Sequence, residues 1–459
     1  MAAPVGIDSA QLRAALRQMV GAVHVLSGPD AEPYWQSTGA SRFEPVAVVR
    51  PGSSAEVAAI LKQCSESGVP VVARGHGSSL TGGVAIAQGD VVLSLERLGE
   101  IEIDAPNACA RVGAGALTSQ LQARAAEVKL MYPPDPASAE FSTIGGNVAT
   151  NAGGARGLKY GITADHVLGM VVALADGRVL RLGGRAGRGA GGYRLLQLFI
   201  GSEGTLGVIT EVTLKLLPLV TSRAAALVAY KNLAEVGEAV SALLRTGPLP
   251  CALEILDRAA LTLVSDRLPS GLPRDAAAVL LVEQDGHDRE LVLSELASML
   301  ERLGGHENWV AQSEEERQRL WAIVQSLPQA VKQASPVSLV EDVAVPPGRI
   351  ADMLAKLQAL AQREKLTIVT GGHAGDGCLH PRVLLGNEDG QRASGLRSQI
   401  VHDALELGGS ISGEYGIGLL KRDVLRLGND PEALDVMTQL KELFDPKGIL
   451  NPGKLLPEC

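Results

Sequence analysis

The sequence predicts an α+β protein built from more than one domain. Its 459 residues suffice for two or three domains of ~150 residues each. Strand-like and helix-like patterns alternate along the chain, and several strands run directly into glycine-rich loops. After Pro218 the sequence pattern changes to a regular alternation of predicted strands and helices. We therefore expect a first domain over residues 1–218, a second over 219–405 and a C-terminal segment over 406–459.

The first domain should contain a strand, helix, strand unit between residues 44 and 100. "PVAVVRP" predicts a strand, "SSAEVAAILKQCSESG" a capped helix and "VPVVARG" a second strand that ends in a glycine loop. Ligand sites of α/β units tend to lie at such strand ends. Residues 131–161 have loop chemistry almost throughout, whereas "GMVVALADGRVLRL" predicts a hairpin around Asp176 and Gly177. A strand over 207–218 ends in proline.

The second domain should be a separate α+β unit. Its predicted strands include "AAALVAY", "AAAVLLVEQ", "VSLVEDVAVP" and "LTIVTGGHAG", and its predicted helices "LAEVGEAVSALLRT", "RELVLSELASMLERLG" and "GRIADMLAKLQALAQRE". The tail "PEALDVMTQLKELFDPKGILNPGKL" predicts a helix stopped by Pro446 and Gly448, with an irregular end.

Composition and charge exclude several classes of function. The formal net charge is -9 and the sequence contains no run of Lys and Arg residues, so nucleic acid is not an expected partner. No apolar stretch approaches the ~20 residues of a membrane span, and the N-terminus lacks a secretion signal, so we expect a cytoplasmic protein. The five cysteines form no CxxC pair, which argues against a disulfide framework, a zinc ribbon or an iron–sulfur cluster on this chain.

Three glycine-rich loops indicate an extended, phosphate-bearing cofactor. "RGHGSSLTGG" (74–83) follows a strand and could turn successive N–H groups toward an anion. It matches neither GxGxxG nor a Walker loop, which disfavours a nicotinamide site, and a plain tight turn is its alternative. Residues 132–161 form a thirty-residue stretch without a periodic element, which usually indicates a ligand-binding loop or disorder, and Ile144 and Val148 disfavour disorder. "FIGSEGTLGVITE" (199–211) again joins glycines to a strand.

The stretch "GGHAGDGCLHP" (371–381) holds two histidines, His373 and His380. On one continuous strand, residues seven apart lie on opposite faces, so the pair can converge only if "AGDG" turns the chain back. Two imidazoles and a carboxylate form a known catalytic zinc arrangement, and Glu414 in "GEYGIG" is the candidate third ligand. The alternative is a hydrogen-bonded structural histidine pair.

At these motifs the chain resembles the vanillyl-alcohol-oxidase superfamily of flavoproteins, in the branch of glycolate oxidase, D-lactate dehydrogenase and D-2-hydroxyglutarate dehydrogenase. The resemblance runs from about residue 44 to the C-terminus. It implies an α+β, two-subdomain FAD-binding fold, a separate substrate domain that caps the flavin, and a C-terminal helical segment that returns to the FAD domain. Its motifs are "RGHGSSLTGG", "PPDPASAEFSTIGGNVATNAGG", "LKYG", "LFIGSEGTLGVITEVTLKL", "GGHAGDGCLHP", "GEYGIGLLKRD" and "LFDPKGILNPGK".

The resemblance also implies which residues bind FAD. The pyrophosphate would lie on residues 75–79, other residues would follow the flavin and its ribityl chain, and Asn451 would approach the isoalloxazine. The flavin would be non-covalent, because covalent relatives have their linking histidine where Ser78 stands. The implied residues are Arg74, Gly75, His76, Gly77, Ser78, Ser79, Pro134, Asp135, Ser138, Gly145, Gly146, Asn147, Asn151, Gly153, Gly207, Val208, Ile209 and Asn451.

The same relatives have the trio His373, His380 and Glu414, which implies a divalent metal, zinc or manganese. Other positions depart from the family. Tyr415 stands where the family has a histidine, the presumed base, and Cys378 replaces an asparagine. Val324 and Val340 occupy the positions of basic residues that hold the substrate carboxylate. Two residues could substitute for these, Arg382 and Lys332.

The resemblance predicts an FAD-dependent dehydrogenase or oxidase of 2-hydroxy acids that uses an acceptor other than NAD. Hydride would pass from the alcohol carbon to flavin with metal assistance, and Tyr415 and His373 are the catalytic candidates. The alternative is a flavin-binding subunit or diverged paralog with altered or lost activity. Besides a small-molecule substrate, we expect an iron–sulfur or quinone-linked electron-transfer partner, which could hold the protein at a membrane surface.

Overall fold

The computed structural model describes residues 9–35, 37–38, 42–187, 189–269, 272–273, 275–386 and 390–457. Cys459, one of the five cysteines, lies outside these residues. The chain divides into two compact units. Unit 1 contains residues 1–152, 162–219 and 415–459, and unit 2 contains residues 153–161 and 220–414. None of the described helices combines the length and apolar character needed to cross a membrane.

Strands and helices are numbered in chain order. The strands are β1 (Val25–Leu26), β2 (Ala47–Val49), β3 (Val71–Arg74), β4 (Val91–Ser94), β5 (Ile101–Asp104), β6 (Cys109–Gly113), β7 (Leu130–Met131), β8 (Val167–Ala173), β9 (Val179–Gly183), β10 (Val208–Lys215), β11 (Leu217–Pro218), β12 (Ser222–Tyr230), β13 (Ala252–Asp257), β14 (Ala278–Gly286), β15 (Glu307–Val310), β16 (Ser338–Val340), β17 (Val343–Ala344), β18 (Thr367–His373) and β19 (Cys378–Leu384). The α-helices are α1 (Ser9–Val20), α2 (Ser54–Ser67), α3 (Thr118–Glu127), α4 (Ile144–Thr150), α5 (Gly157–Tyr160), α6 (Thr163–His166), α7 (Leu196–Phe199), α8 (Leu233–Thr246), α9 (Arg258–Leu263), α10 (Arg289–Leu303), α11 (Glu314–Ala334), α12 (Ile350–Glu364), α13 (Gly390–Glu406) and α14 (Pro431–Phe444).

Unit 1 begins with a small sheet of strand order β1-β2-β4-β3. Strand β4 runs parallel to both β2 and β3, with α2 as a crossover helix, as the strand, helix, strand pattern predicts. Ser53 caps α2 by accepting a hydrogen bond from the Glu56 N–H. The parallel strands are buried on both faces and therefore consist almost entirely of Val, Ala and Leu. The "RGHGSSLTGG" loop leaves the carboxyl end of β3.

A second, antiparallel sheet of unit 1 has the order β5-β6-β10-β8-β9. The predicted hairpin is β8 and β9, joined by a turn at Asp176 and Gly177. Apolar side chains of β6, β8 and β10 pack against α3 and α4 in one core cluster. Helix α4 corrects the expectation that residues 132–161 lack regular structure: the Thr143 side chain accepts from the Gly146 N–H and starts a helix of seven residues.

Unit 2 is built on an antiparallel sheet of order β15-β12-β14-β13-β18-β19-β16, with β17 paired to β19. Helix α10 packs on β12 and β14, and α8 packs against α10 and α12. Helices α9 and α11 contribute to an apolar cluster with alternate residues of β12, β13, β14 and β18. The alternation of strands and helices therefore forms an α+β unit, as predicted, although β13, β15, β19, α9, α11 and α13 were not among the predicted elements.

The two units differ from the predicted domain ranges in two places. Residues 406–414 group with unit 2 because the Ser410 main chain pairs with Ala344 at the end of β17. Residues 153–161 also group with unit 2, where the Lys159 ammonium contacts the Asp285 carboxylate at 2.6 Å. Sequence patterns do not reveal either contact, since each joins positions more than 60 residues apart.

In unit 1, the buried Glu203 fastens three segments of chain. Its carboxylate oxygens accept the N–H groups of Ile417 and Gly418, each at 2.7 Å, and its carbonyl oxygen accepts from the Asn451 side-chain amide at 2.7 Å. Burial raises the pKa of Glu203 to about 7, and the two N–H groups only partly offset burial.

Glu203 should make stability depend on pH near neutrality. The folded chain holds its proton up to about pH 7, whereas the unfolded chain releases it near ~4.3, so the free energy of unfolding falls as pH rises through this window. The ceiling is about 4 kcal/mol at ~1.4 kcal/mol per pKa unit. Glu203→Gln has no such proton. As pH rises through this window, its free energy of unfolding, measured with urea, should therefore increase relative to that of wild type. The control is Glu140→Gln, an exposed position whose free energy of unfolding should follow that of wild type at every pH. If the free energies of unfolding of Glu203→Gln and wild type changed in parallel with pH, the raised pKa of Glu203 would be contradicted.

Candidate functional site

The loop after β3 presents a row of backbone donors in unit 1. Among the described residues, none of the N–H groups of residues 75–79 donates to a protein acceptor. Gly77 has a φ of 75°, which favours glycine, and a Cβ there would collide with the Arg74 guanidinium. Arg74 itself is 8% exposed. Such a concave row of donors next to a buried cation suits a pyrophosphate.

Asn451 gives a second indication of a ligand in unit 1. Its side-chain amide donates to the carbonyl oxygens of Gly83 and Glu203 at 2.9 and 2.7 Å. Its Oδ1 atom is buried and has no hydrogen-bond partner within the described part of the chain. A buried acceptor without a donor is costly, so a ligand donor at this position would relieve it.

The other residues implied for FAD have mixed surroundings. Asn147 donates to Thr118 Oγ1 at 2.7 Å, and Asn151 caps the end of α4 in the left-handed conformation and accepts from the Ala164 N–H at 3.0 Å. Both side chains therefore have structural partners. Packing requires glycine at two of these positions, because a Cβ at Gly145 would collide with Ala114 and a Cβ at Gly207 would collide with Val172.

The remaining members of that set lie in three places. Val208 and Ile209 begin β10 and pair with β8, so the sheet already uses this stretch of main chain. Pro134 accepts from the Gln122 side chain at 3.0 Å, and Asp135, Ser138 and Gly146 lie on the chain around the start of α4. Gly153 groups with unit 2, unlike the rest.

In unit 2, the hairpin of β18 and β19 brings the two histidines together. His373 pairs with Cys378 and Gly371 with His380, so the histidines are diagonal neighbours on one face. Their ring centroids are 5.2 Å apart. The turn needs Gly377, which has a φ of 83° and where a Cβ would collide with the Val345 carbonyl oxygen. The predicted turn therefore forms and produces the predicted convergence.

Glu414 meets both rings. Its Oε1 atom lies 3.6 Å from His373 Nε2 and 3.2 Å from His380 Nε2. Burial would raise the pKa of Glu414, but the two adjacent histidines outweigh it and hold that pKa well below its ordinary value. His373 Nε2 is buried and makes no hydrogen bond among the described residues. The side chains of His373, His380 and Glu414 thus converge with one ligand atom each.

Two carboxylates near the Nδ1 atoms of these histidines were not predicted from the sequence. Glu254 of β13 is 3% exposed, and its Oε1 atom lies 2.7 Å from His373 Nδ1. Asp342 is fully buried and has its Oδ1 atom 3.6 Å from His380 Nδ1. A glutamate inside the apolar strand "CALEILD" was the signal that could have identified Glu254.

The trio and these two carboxylates carry an excess of negative charge. Three carboxylates surround two imidazoles, so one negative charge remains even if both rings are protonated. Within the described part of the chain, no Lys or Arg forms an ion pair with Glu254 or Glu414. Imidazole nitrogens and a carboxylate oxygen are the ligands that Zn²⁺ takes in catalytic sites. The donor set and its charge therefore fit a divalent cation.

The positions that depart from the family are divided between the two units. Val324 of α11 packs against the apolar cluster of unit 2, and Val340 of β16 pairs with Arg382. Cys378 is buried, and its thiol donates to Asp342 Oδ1 at 3.4 Å. Tyr415 belongs to unit 1, where its carbonyl oxygen accepts from Thr81 Oγ1 at 3.2 Å.

Two family models match this chain. Residues 45–183 match the FAD binding domain, and residues 220–455 match the C-terminal domain of FAD linked oxidases. Among solved structures, p-cresol methylhydroxylase with bound substrate superposes with a TM-score of 0.80 at 18% identity and covers 98% of both chains. This likeness shows the fold, an α+β FAD-binding fold of the vanillyl-alcohol-oxidase type.

Curated relatives extend over nearly the whole chain. The glycolate oxidase subunit GlcD of Bacillus subtilis (strain 168) is 40% identical over 93% of this chain and 91% of its own. A D-lactate dehydrogenase of Archaeoglobus fulgidus is 36% identical over 89% and 91%, and a D-2-hydroxyglutarate dehydrogenase of Stutzerimonas stutzeri is 31% identical over 96% and 97%. The chain therefore belongs to the FAD-linked oxidases, in the glycolate oxidase, D-lactate dehydrogenase and D-2-hydroxyglutarate dehydrogenase branch, and is an FAD-dependent oxidoreductase.

Proposed function

We propose that this protein oxidises the alcohol carbon of a small 2-hydroxy acid, of the glycolate, D-lactate or D-2-hydroxyglutarate class, with a divalent cation held by His373, His380 and Glu414. The observation that carries the proposal is the convergence of these three side chains, whose ligand atoms lie within 4.8 Å of one another, in an FAD-linked oxidase. The relatives named for glycolate, D-lactate and D-2-hydroxyglutarate support the substrate class.

The reaction removes a proton from the hydroxyl oxygen and a hydride from the carbon that bears it. Bound FAD supplies the hydride acceptor, and a divalent cation would polarise the hydroxyl group and lower its pKa. The N–H groups of residues 75–79 and the Asn451 carboxamide would hold the cofactor non-covalently. The carboxylate of Glu414 and the Nε2 atoms of both histidines would hold the cation, zinc or manganese.

Tyr415 is the proposed proton acceptor. Because a phenol with a pKa near ~10 keeps its own proton at neutral pH, Tyr415 would act as the phenolate, which a neighbouring positive charge favours by lowering that pKa. It follows Glu414 directly in the chain. The bond from Thr81 to its carbonyl oxygen and the bonds from Ile417 and Gly418 to Glu203 fix its main chain. Removal of the hydroxyl proton by this phenolate is easier once that hydroxyl group is polarised.

Arg382 is the proposed counter-charge for the substrate carboxylate. Alternate residues of a strand share a face, so Arg382 leaves β19 on the same side as His380. Its neighbours across the sheet are Val340 and Val369, so Arg382 is the basic residue among these three. Lys332, the other substitute, is exposed on α11. A carboxylate can accept two parallel hydrogen bonds from a guanidinium.

A second candidate function is that of a flavin subunit working with an electron-transfer partner. It is favoured by the name of the Bacillus subtilis relative, a subunit of glycolate oxidase. An iron–sulfur or quinone-linked partner would then receive the electrons. Co-purification of such a partner, with no bleaching of the isolated chain by any 2-hydroxy acid, would favour this candidate over an enzyme active alone.

Removing a histidine ligand should abolish flavin reduction. Anaerobic addition of glycolate, D-lactate or D-2-hydroxyglutarate should bleach the flavin absorbance of wild type, and His373→Ala should slow bleaching at least ~100-fold because polarisation of the hydroxyl is lost. A chelator should act similarly. The control is His402→Ala, an exposed histidine of unit 2 that pairs with Glu406. Undiminished bleaching in His373→Ala, with normal FAD content, would contradict the cation site.

Arg382→Leu should raise KM for the 2-hydroxy acid by ~10- to 100-fold, since a charge-assisted hydrogen bond contributes ~1.5–3 kcal/mol. Steady-state kinetics with an artificial electron acceptor measures the change. Lys332→Leu is the matched control and should leave KM unchanged. The reverse result would transfer the carboxylate-binding role from Arg382 to Lys332.

Tyr415→Phe should keep FAD and lower the rate of flavin reduction by ~100-fold or more, the usual contribution of a general base. Stopped-flow reduction under saturating substrate is the appropriate measurement. A rate equal to that of wild type would show that another group accepts the proton.

A further inference from the structure

Two buried carboxylates stand behind the proposed cation ligands of unit 2. We propose that Glu254 and Asp342 are positioning residues, which fix the three ligand atoms in place before a cation binds. This inference rests on the proposed role of His373, His380 and Glu414 as ligands. It assigns a role to two residues that do not themselves touch the cation.

Glu254 fixes the ring of His373. The two residues face each other across β13 and β18, so both side chains leave the sheet on the same face. With the proton on Nδ1, the His373 ring donates to Glu254 Oε1 at 2.7 Å. The neutral ring then presents the Nε2 lone pair on its other side, where Glu414 Oε1 lies at 3.6 Å. A ligating histidine generally requires such a partner to set its tautomer and orientation.

Asp342 fixes the main chain of Glu414. Its Oδ2 atom accepts hydrogen bonds from Ser412 Oγ at 2.6 Å, from the Gly413 N–H at 2.9 Å and from the Glu414 N–H at 3.0 Å. Three donors from consecutive residues leave this segment little freedom to move. A Cβ at Gly413 would collide with the Cys378 sulfur, so the segment lies tightly against β19 as well.

The second oxygen of Asp342 is directed toward His380. Oδ1 lies 3.6 Å from His380 Nδ1, which is too long for a hydrogen bond but short enough for charge attraction. Both histidines therefore have a carboxylate near Nδ1 and turn Nε2 toward Glu414. This repetition favours a positioning role over the alternative in which Asp342, Cys378 and His380 are themselves the ligands of an ion.

The test is the Zn²⁺ affinity of the FAD-loaded protein, measured by equilibrium dialysis with elemental analysis. Glu254→Gln and Asp342→Asn should each bind Zn²⁺ about 10- to 100-fold more weakly than wild type, the usual cost of losing such a partner. Glu254→Gln keeps the side-chain shape, so it provides the result if Asp342→Asn fails to fold. The matched control is Glu341→Gln, a buried carboxyl next to Asp342 that accepts from Arg397 at 2.7 Å, and its affinity should equal that of wild type.

Two spectroscopic readouts separate positioning from general stability. Histidine ¹⁵N NMR of the zinc-loaded wild type should place the His373 proton on Nδ1, with a weaker hydrogen bond at that nitrogen in Glu254→Gln. X-ray absorption at the zinc edge should show only nitrogen and oxygen neighbours. A sulfur neighbour near ~2.3 Å would make Cys378 a ligand and overturn the positioning role of Asp342.

The outcomes distinguish this inference from the proposed function. Wild-type affinities in both Glu254→Gln and Asp342→Asn would overturn the positioning role alone. Wild-type protein that binds no Zn²⁺ or Mn²⁺ in dialysis would overturn the cation site of the proposed function, and the positioning role with it.

Discussion

The cluster of carboxylates around His373 and His380 in unit 2 is the constraint on which the proposed function depends. Glu254, Asp342 and Glu414 place three carboxylates around two imidazoles. Burying carboxylates is costly unless opposite charge or hydrogen bonds compensate them. Two protonated histidines or one divalent cation would each compensate two of the three negative charges, but only the cation leaves the rings neutral and takes their Nε2 atoms as ligands. A fold that maintains this arrangement is therefore suited to a cation.

The antiparallel sheet of unit 2 makes such a cluster possible. Neighbouring strands β13, β18 and β19 present Glu254, His373 and His380 on one face, at spacings that the sheet fixes. Side chains on strands are held more accurately than side chains on loops. Glu414 comes from an irregular segment, and Asp342, which lies between β16 and β17, fastens that segment through its main chain. Unit 1 uses the opposite arrangement, with main-chain donors of a loop at the end of β3.

Much of this could be predicted from sequence, because local chemistry determined it. The glycine loop after β3, the hairpin turn at 374–377 and the family motifs are all contiguous stretches. The partners of Glu254 and Asp342 could not be identified in that way, since they lie about 120 and 70 residues away along the chain. Helix α4 was missed because its sequence "IGGNVAT" has poor helix propensity, and its cap and tertiary packing outweigh that.

Anomalous X-ray diffraction from crystals of the FAD-loaded protein, recorded at the zinc and manganese absorption edges, tests the central claim most directly. We predict a single strong anomalous peak within about 2.0–2.2 Å of His373 Nε2, His380 Nε2 and a Glu414 carboxylate oxygen. Crystals soaked in either metal that show no peak there, with Glu414 hydrogen-bonded directly to both rings, would contradict it.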